Sequence, residues 1–306
     1  MQKIITITLN PSLDKGITVK ELVAEKKLQC SIPTLEPGGG GINVSRALEH
    51  LGCNSLSLYM YGGYTGNKLY DMMNATGVEC RAFRINGDTR ENMIVVDKLT
   101  NAQYRFGMTS PTLTEEEWQQ PLRFLEENVG FEYVVASGSL PTGVPMDYFG
   151  KVAAIVHKKG AKLIIDTSGE ALKHAVKVGV YLIKPNLTEL SNLNELEELK
   201  KEEIICAAKN IINDQGSEVV VVSMGANGAI LVSANETISL PAPTLKLKST
   251  VGAGDSMVAG LVLGITRNYD WTDTLKLGIA CGSAATMNEG TALCKKNDVE
   301  DLFKRI

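Results

Sequence analysis

STVGAGDSM, residues 249–257, stands between a short strand pattern and a run of small and apolar residues at 259–265. Gly252 and Gly254 let the backbone turn without a Cβ clash, so the stretch reads as a turn that opens a helix. The first amides of a helix have no internal partner and carry the positive end of its dipole. The turn can therefore hold an anion, or charge that develops during a reaction. Asp255 falls in that first turn. A carboxylate there would repel a phosphate; besides capping the helix, its use would be to take a proton from an attacking hydroxyl. The nine residues alone leave both uses open.

Outward from this turn the chain alternates between strand and helix patterns, the mark of an α/β fold with a mostly parallel sheet. Residues 3–9 are β-rich and stop at Asn10-Pro11, which puts Asp14 in a loop at a strand end, where open α/β sheets keep their chemistry. Further strands are expected at 55–61, 80–85, 133–137, 162–165, 181–184, 219–223, 229–233 and from 237 to 240. Helices are expected at 67–75, from the capping box Thr114-Glu117 to about Glu127, at 146–159 and at 271–287. Pro37-Gly38-Gly39-Gly40-Gly41 runs directly into a periodic helix carrying Asn43. Such a run costs backbone entropy, and it points to close approach of the backbone to a ligand rather than to a linker.

Two β-only islands, 15–36 and 88–108, interrupt the alternation, with strand-like pieces at 17–19, 28–32, 92–98 and 103–106. They predict a small β-sheet lid beside a core made of 1–14, 37–87 and 109–306. Arg90 enters the second island, where it serves either a ligand's phosphate or a solvated turn. Asn186 and Glu189, three apart where a strand meets a helix, suit Mg²⁺ or water near a polyphosphate; helix-start chemistry with Thr188 as cap competes. The small residues from Gly278 to Ala285 fit against a flat group such as a purine, or against a neighbouring helix.

The 44% apolar and 22% charged fractions are those of a soluble globular protein, and a net charge of −4 gives no general pull towards nucleic acid or anionic membrane. Cys30, Cys53, Cys80, Cys206, Cys281 and Cys294 form no CxxC pair and read as buried, reduced thiols. With no signal-like start and no apolar run near ~18 residues, a cytoplasmic protein is expected. The sequence lacks G-x-x-x-x-G-K-[ST], H-E-x-x-H and G-x-S-x-G, and its glycine run does not directly follow the first strand. P-loop, zinc-hydrolase, nucleophile-elbow and hydride-transfer readings are disfavoured.

PGGGGINVSRAL (37–48) and STVGAGDSM together resemble the two signatures of the ribokinase-like sugar kinases, in the phosphofructokinase-B branch. LNPSLD, VASGSLPTGV, IIDTSGEAL, KPNLTEL, VSMGANGA and GSAATMNEGTAL follow in the same order across nearly the whole chain. Members acting on fructose 1-phosphate or tagatose 6-phosphate usually carry a lysine in the glycine run. Its absence here, with QYRF (103–106), makes the chain most similar to the minor bacterial 6-phosphofructokinases of that branch. Gln29, where users of a 6-phosphate tend to have Arg, keeps the two sister substrates open. The resemblance implies a three-layer α/β/α core and ATP-dependent phosphorylation of the 1-hydroxyl of fructose 6-phosphate, with Asp255 as base and Gly252, Ala253 and Gly254 as anion hole. It assigns Asp14, Gly38, Gly39, Asn43 and Ser139 to the sugar, and Lys27, from a partner's lid, and Arg90 to the 6-phosphate. Lys184, Asn186, Ser223, Gly225, Gly228, Ile279 and Ser283 are implied around ATP, and Asn186 and Glu189 near Mg²⁺. Ser249, Val251, Ala285, Asn288 and Gly290 are implied around K⁺. A homodimer through the lid is expected because open sheet edges need cover. The alternative of another class, a non-catalytic sugar-phosphate or nucleotide sensor, would be marked by loss of Asp255 or a glycine, and both are present.

Overall fold

The β-branched run Ile4–Thr8 forms β1, buried on both faces. Strands covered on both sides read as unbroken apolar runs, and this one lies in the interior of a nine-stranded sheet. The computed structural model describes residues 3–306. After β1 come β2 (Ser12–Val19), β3 (Thr34–Gly38), α1 (Gly40–His50), β4 (Leu56–Tyr61), α2 (Gly63–Asn74), β5 (Glu79–Arg84), β6 (Arg90–Asp97) and β7 (Gln103–Phe106). The middle of the chain supplies α3 (Glu115–Glu127), β8 (Tyr133–Ser137), α4 (Tyr148–Lys158), β9 (Lys162–Asp166), α5 (Gly169–Val178), β10 (Val180–Ile183), α6 (Leu187–Leu193) and α7 (Ile204–Asn213). The last part gives β11 (Ser217–Ser223), β12 (Ala229–Ser233), β13 (Thr237–Leu240), α8 (Ala253–Thr266), α9 (Trp271–Thr286) and α10 (Lys296–Phe303).

The large sheet has the order β13-β12-β11-β10-β9-β8-β1-β4-β5. It is parallel except where β12 and β13 turn back antiparallel at one edge. Helices α3 to α7 cover one face, where Trp118, Phe149, Leu172, Leu190 and Ile211 meet Ile5 and Ile7. Helices α1, α8, α9 and α10 cover the other, through Val44, Leu48, Leu261, Ala280 and Leu302 against Ile4 and Val135. The alternation Ile4, Ile5 in β1 thus feeds two cores, giving the three layers expected. Strand order reverses between β1 and β8, so a crevice opens at the carboxyl ends of these strands.

The second sheet has four strands in the order β3-β2-β6-β7, with β2 parallel to β6 and antiparallel to β3. Here the structure departs from the sequence reading in detail, as it does for the cysteines, of which Cys30 and Cys206 are exposed because they stand on a loop and on the outer side of α7. Asp14 is not in a loop: Asn10-Pro11 makes only a short corner, and Ser12 restarts extended chain because β6 offers it a partner from Arg90 onward. Residues 28–32 form no strand; they touch the sheet through one bridge, Val19 to Cys30, while the pairing strand runs Thr34–Gly38, into the glycines. The helix after STVGAGDSM begins at Ala253, earlier than the apolar run suggested, and its cap is Gly252 at φ 73°. Among the described residues no helix is long and apolar enough to cross a membrane.

Candidate active site

Asp255 stands in the first turn of α8, half-buried, and its Oδ2 accepts a 2.9 Å hydrogen bond from Asn43 Nδ2 on α1. The two glycine-rich stretches, far apart in sequence, therefore meet at this carboxylate. Burial, with Asp166 and Asp14 nearby, pushes the Asp255 carboxyl up to about 6, against the pull of the Asn43 hydrogen bond and of Lys184. Lys184 follows β10 and is itself buried, with Nζ 3.2 Å from Asp166 Oδ1 at the end of β9. Burial disfavours its charge, but Asp166, Glu189 and Asp255 outweigh that and hold the ammonium above its ordinary range. A Cβ built on Gly254 would lie 3.7 Å from Lys184 Nζ, so the lysine hangs over the open amides of α8.

The glycines of the 38–41 run have separate uses, most of them turned towards the protein. A Cβ on Gly38 would come within 2.5 Å of the Asp14 carboxylate, and one on Gly41 within 2.5 Å of the Ile7 carbonyl of β1. Gly40 is pressed in the same way against Ser137 and Gly138 after β8. Gly39 has φ 114°, a conformation side chains disfavour. The run lets α1 sit its first turn directly on the strand ends, which puts Asn43 opposite Asp255. Asp14 is buried in β2, accepting from Ser12 Oγ at 2.7 Å and Asn92 Nδ2 at 3.0 Å.

Arg90, at the start of β6, donates from Nη2 to the Asn10 carbonyl at 3.1 Å, and burial lowers its affinity for the proton against the pull of Asp14. Asn10 Nδ2 donates to Ser139 Oγ at 3.0 Å. Lys27 is exposed in the loop before β3, and among the described residues it makes no polar contact with this group. Sequence reasoning missed Asp166, Asn10 and Arg46. Asp166 could have been found as a strand-end carboxylate on the strand next to that of Lys184. Arg46 donates from Nη1 to the Pro37 carbonyl at 2.7 Å and steadies the glycine run.

Beyond the helix start lies a cleft of about 390 Å³ that takes in Ser223, Gly225, Gly228, Ile279, Ser283 and Gly254. Its walls include Pro243, Leu245 and Met257, so it is apolar and continuous with the amides of α8. The small-residue face of α9 is divided. A Cβ on Gly278 would lie 2.9 Å from Leu261 of α8, while Ile279, Gly282 and Ser283 face the cleft. Asn186 is tied to this wall by a bridge to Ser223. It, and not Thr188, caps α6: Asn186 Oδ1 accepts from Glu189 N and Glu189 Oε2 accepts from Asn186 N, both at 2.9 Å. Burial raises the Glu189 carboxyl.

The Glu189 Oε1 left over by that capping box and the Asp166 carboxylate nearby are hard oxygen ligands that fit a magnesium ion reached through water. Ser249 and Val251 lie on one turn, Asn288 and Gly290 on a second, and Ala285 at the end of α9, all behind the start of α8. Ser249 Oγ donates to the Gly290 carbonyl at 2.6 Å, Val251 N to Ser249 Oγ at 3.2 Å, and Asn288 N to the Ala285 carbonyl at 3.1 Å. Neutral oxygens on two turns and a helix end suit a monovalent cation, and no cluster of three His, Cys, Asp or Glu fit for a metal occurs among the described residues. The four-stranded sheet reaches these segments: Arg105 Nη2 donates to Thr250 Oγ1 at 2.8 Å, and Thr291 Oγ1 bonds Glu36 of β3.

Residues 8–298 match the model of the pfkB family of carbohydrate kinases. The chain is 38% identical over 304 residues to the ATP-dependent 6-phosphofructokinase isozyme 2 of Escherichia coli, covering 99% of this chain and 98% of that one. It is 33% identical over 286 residues to the 1-phosphofructokinase of Bacillus subtilis, covering 94% and 93%. The structure of Escherichia coli phosphofructokinase-2 in complex with potassium superposes with a TM-score of 0.95 at 38% identity, over 100% of this chain and 99% of that one. A tetrameric inhibited form of that protein gives 0.94 at 37% identity, with the same coverage. With a glycine-seated helix, a carboxylate at a helix start and a family model spanning both, this chain belongs to the pfkB family of carbohydrate kinases.

Proposed function

We propose that the chain is an ATP-dependent 6-phosphofructokinase, which moves the γ-phosphoryl of ATP to the 1-hydroxyl of fructose 6-phosphate and yields fructose 1,6-bisphosphate, a glycolytic step. The observation that carries this reading is the meeting of Asp255 with Asn43 at the open end of α8, beside an apolar cleft. ATP lies in the cleft with its base against Ile279 and Ser283, near Gly225 and Gly228, and its phosphates reach Lys184 and Asn186. The sugar lies on the other side of Asp255, over Asp14, Gly38, Gly39, Asn43 and Ser139, with its phosphate on Arg90.

Phosphoryl transfer asks the protein for position and charge more than for covalent chemistry. Asp255 takes the proton of the 1-hydroxyl as the oxygen attacks. Its carboxyl, raised by burial, is a better base than an exposed aspartate and is still ionised at neutral pH. The amides around Gly252, Ala253 and Gly254, with the Lys184 ammonium above them, meet the charge on the moving phosphoryl. Asn186 and Glu189 would hold the magnesium ion that accompanies ATP, which supplies charge neutralisation on the phosphates. Ser249, Val251, Ala285, Asn288 and Gly290 would hold K⁺, steadying the turn behind the anion hole.

The four-stranded sheet acts as a lid that keeps water from the phosphoryl group. Its exposed Tyr104 and Phe106 support pairing of two copies through this sheet, with Lys27 supplied to the partner's site. A cytoplasmic location fits this activity. ADP release should be measured with fructose 6-phosphate, fructose 1-phosphate, tagatose 6-phosphate and unphosphorylated fructose. The expected result is highest kcat/KM with fructose 6-phosphate. Preference for another acceptor overturns the substrate, and no ADP release with any overturns the kinase reading.

A further inference from the structure

Asn10 sits where every element of the sugar side converges. Its backbone carbonyl accepts from Arg90 of the lid at 3.1 Å, and its Nδ2 donates to Ser139 on the turn after β8 at 3.0 Å. The Cα of its neighbour Pro11 would lie 3.1 Å from a Cβ on Gly39. Asn10 is only 7% exposed, yet its Oδ1 has no hydrogen-bond partner. Arg90 Nε is likewise buried and unpartnered. Two contacting residues, one with a buried unpaired amide oxygen and the other with a buried unpaired guanidinium N–H, are costly, and natural sites keep such groups where a ligand completes them.

We propose that Asn10 is a substrate-recognition residue. Its Oδ1 accepts a hydrogen bond from a hydroxyl of the bound sugar phosphate, while its other two polar groups hold Ser139 and Arg90 in register for the same ligand. This deepens the sugar-phosphate reading above and rests on it. A carboxamide offers this oxygen without charge, which suits a position beside a phosphate, where a carboxylate would repel the ligand. The ATP cleft lies across Asp255 from Asn10, so the two substrates should feel its loss unequally.

Asn10→Ala and Asn10→Ser test this. Serine is too short to span to Ser139, and it stands as the second variant should alanine not fold. Kinetics are taken with the best acceptor of the wild-type enzyme, so a wrong choice of sugar shows in the wild type and is separable from a failure of Asn10. The expected result is a KM for the sugar phosphate raised roughly 10- to 100-fold, with kcat and the KM for ATP within about threefold. A sugar-phosphate KM within twofold of wild type overturns the proposal. So does a loss in which the KM for ATP moves with the KM for the sugar, because that marks general damage to the fold.

Discussion

At Asp255, neighbours that favour its proton and neighbours that oppose it are both near, so its titration can be moved in either direction. Burial and Asp166 raise its carboxyl to about 6, while Asn43 and Lys184 lower it. As the proposed base it must be ionised, so kcat/KM should fall as pH drops through about 6, two units above an ordinary aspartate. Asn43→Ala and Lys184→Met each remove a lowering influence and should shift this acid limb to higher pH; Asp166→Asn should shift it lower. A limb near pH 4, or shifts of the opposite sign, would contradict the assignment. The same raised value bears on stability. A carboxyl whose folded value lies above its unfolded one favours the folded state below about pH 4, and this contribution is lost as pH rises through 6. The free Asp255→Asn protein should therefore melt at a higher temperature than wild type at pH 8, measured by calorimetry.

At the scale of elements, α1 is placed by backbone contact and not by side-chain fit. Gly41→Ala puts a Cβ 2.5 Å from the Ile7 carbonyl, with only backbone to give way. It should cost about 1–3 kcal/mol in urea unfolding and reduce kcat as Asn43 leaves Asp255. An unchanged midpoint would mean that α1 does not rest on β1 in this way. The glycine run was legible as an unusual device, but its direction was not, since glycine content cannot tell approach to a ligand from approach to a strand end. Residues 28–32 misled because an apolar piece says nothing of a partner; the pairing went to Thr34–Gly38, where Ser12–Gly16 lay alongside. Helices α5, α7 and α10 escaped the sequence reading, although Ile204, Ala207, Ala208 and Ile211 show the helical spacing plainly. Asp255 was singled out from its helix-start position, whereas Asn43 and Lys184 entered the reading through the family resemblance. Asn10 and Asp166 were not singled out, because their meaning lies in what the folded chain brings beside them.

For the whole molecule, the proposal makes the four-stranded sheet a lid that a second copy completes. Tyr104 is 41% and Phe106 46% exposed on its edge strand, and Lys27 is free in solvent. The protein at micromolar concentration should scatter light as two copies, and Lys27→Ala should raise the KM for the sugar phosphate with the dimer intact. A monomer with full activity would remove the partner's lysine from the account. The turns proposed for K⁺ are tied to the four-stranded sheet through Arg105, Thr250, Glu36 and Thr291, so replacing K⁺ by Na⁺ should lower activity and loosen these segments together in hydrogen exchange. The proposed function centres on one event, the deprotonation of a sugar hydroxyl by Asp255 at the open start of α8. The most direct measurement is single-turnover phosphoryl transfer to fructose 6-phosphate by Asp255→Asn, with ATP affinity measured separately. A rate lower by ~10²–10⁴ with ATP binding unchanged is predicted; a rate near that of wild type would contradict the account.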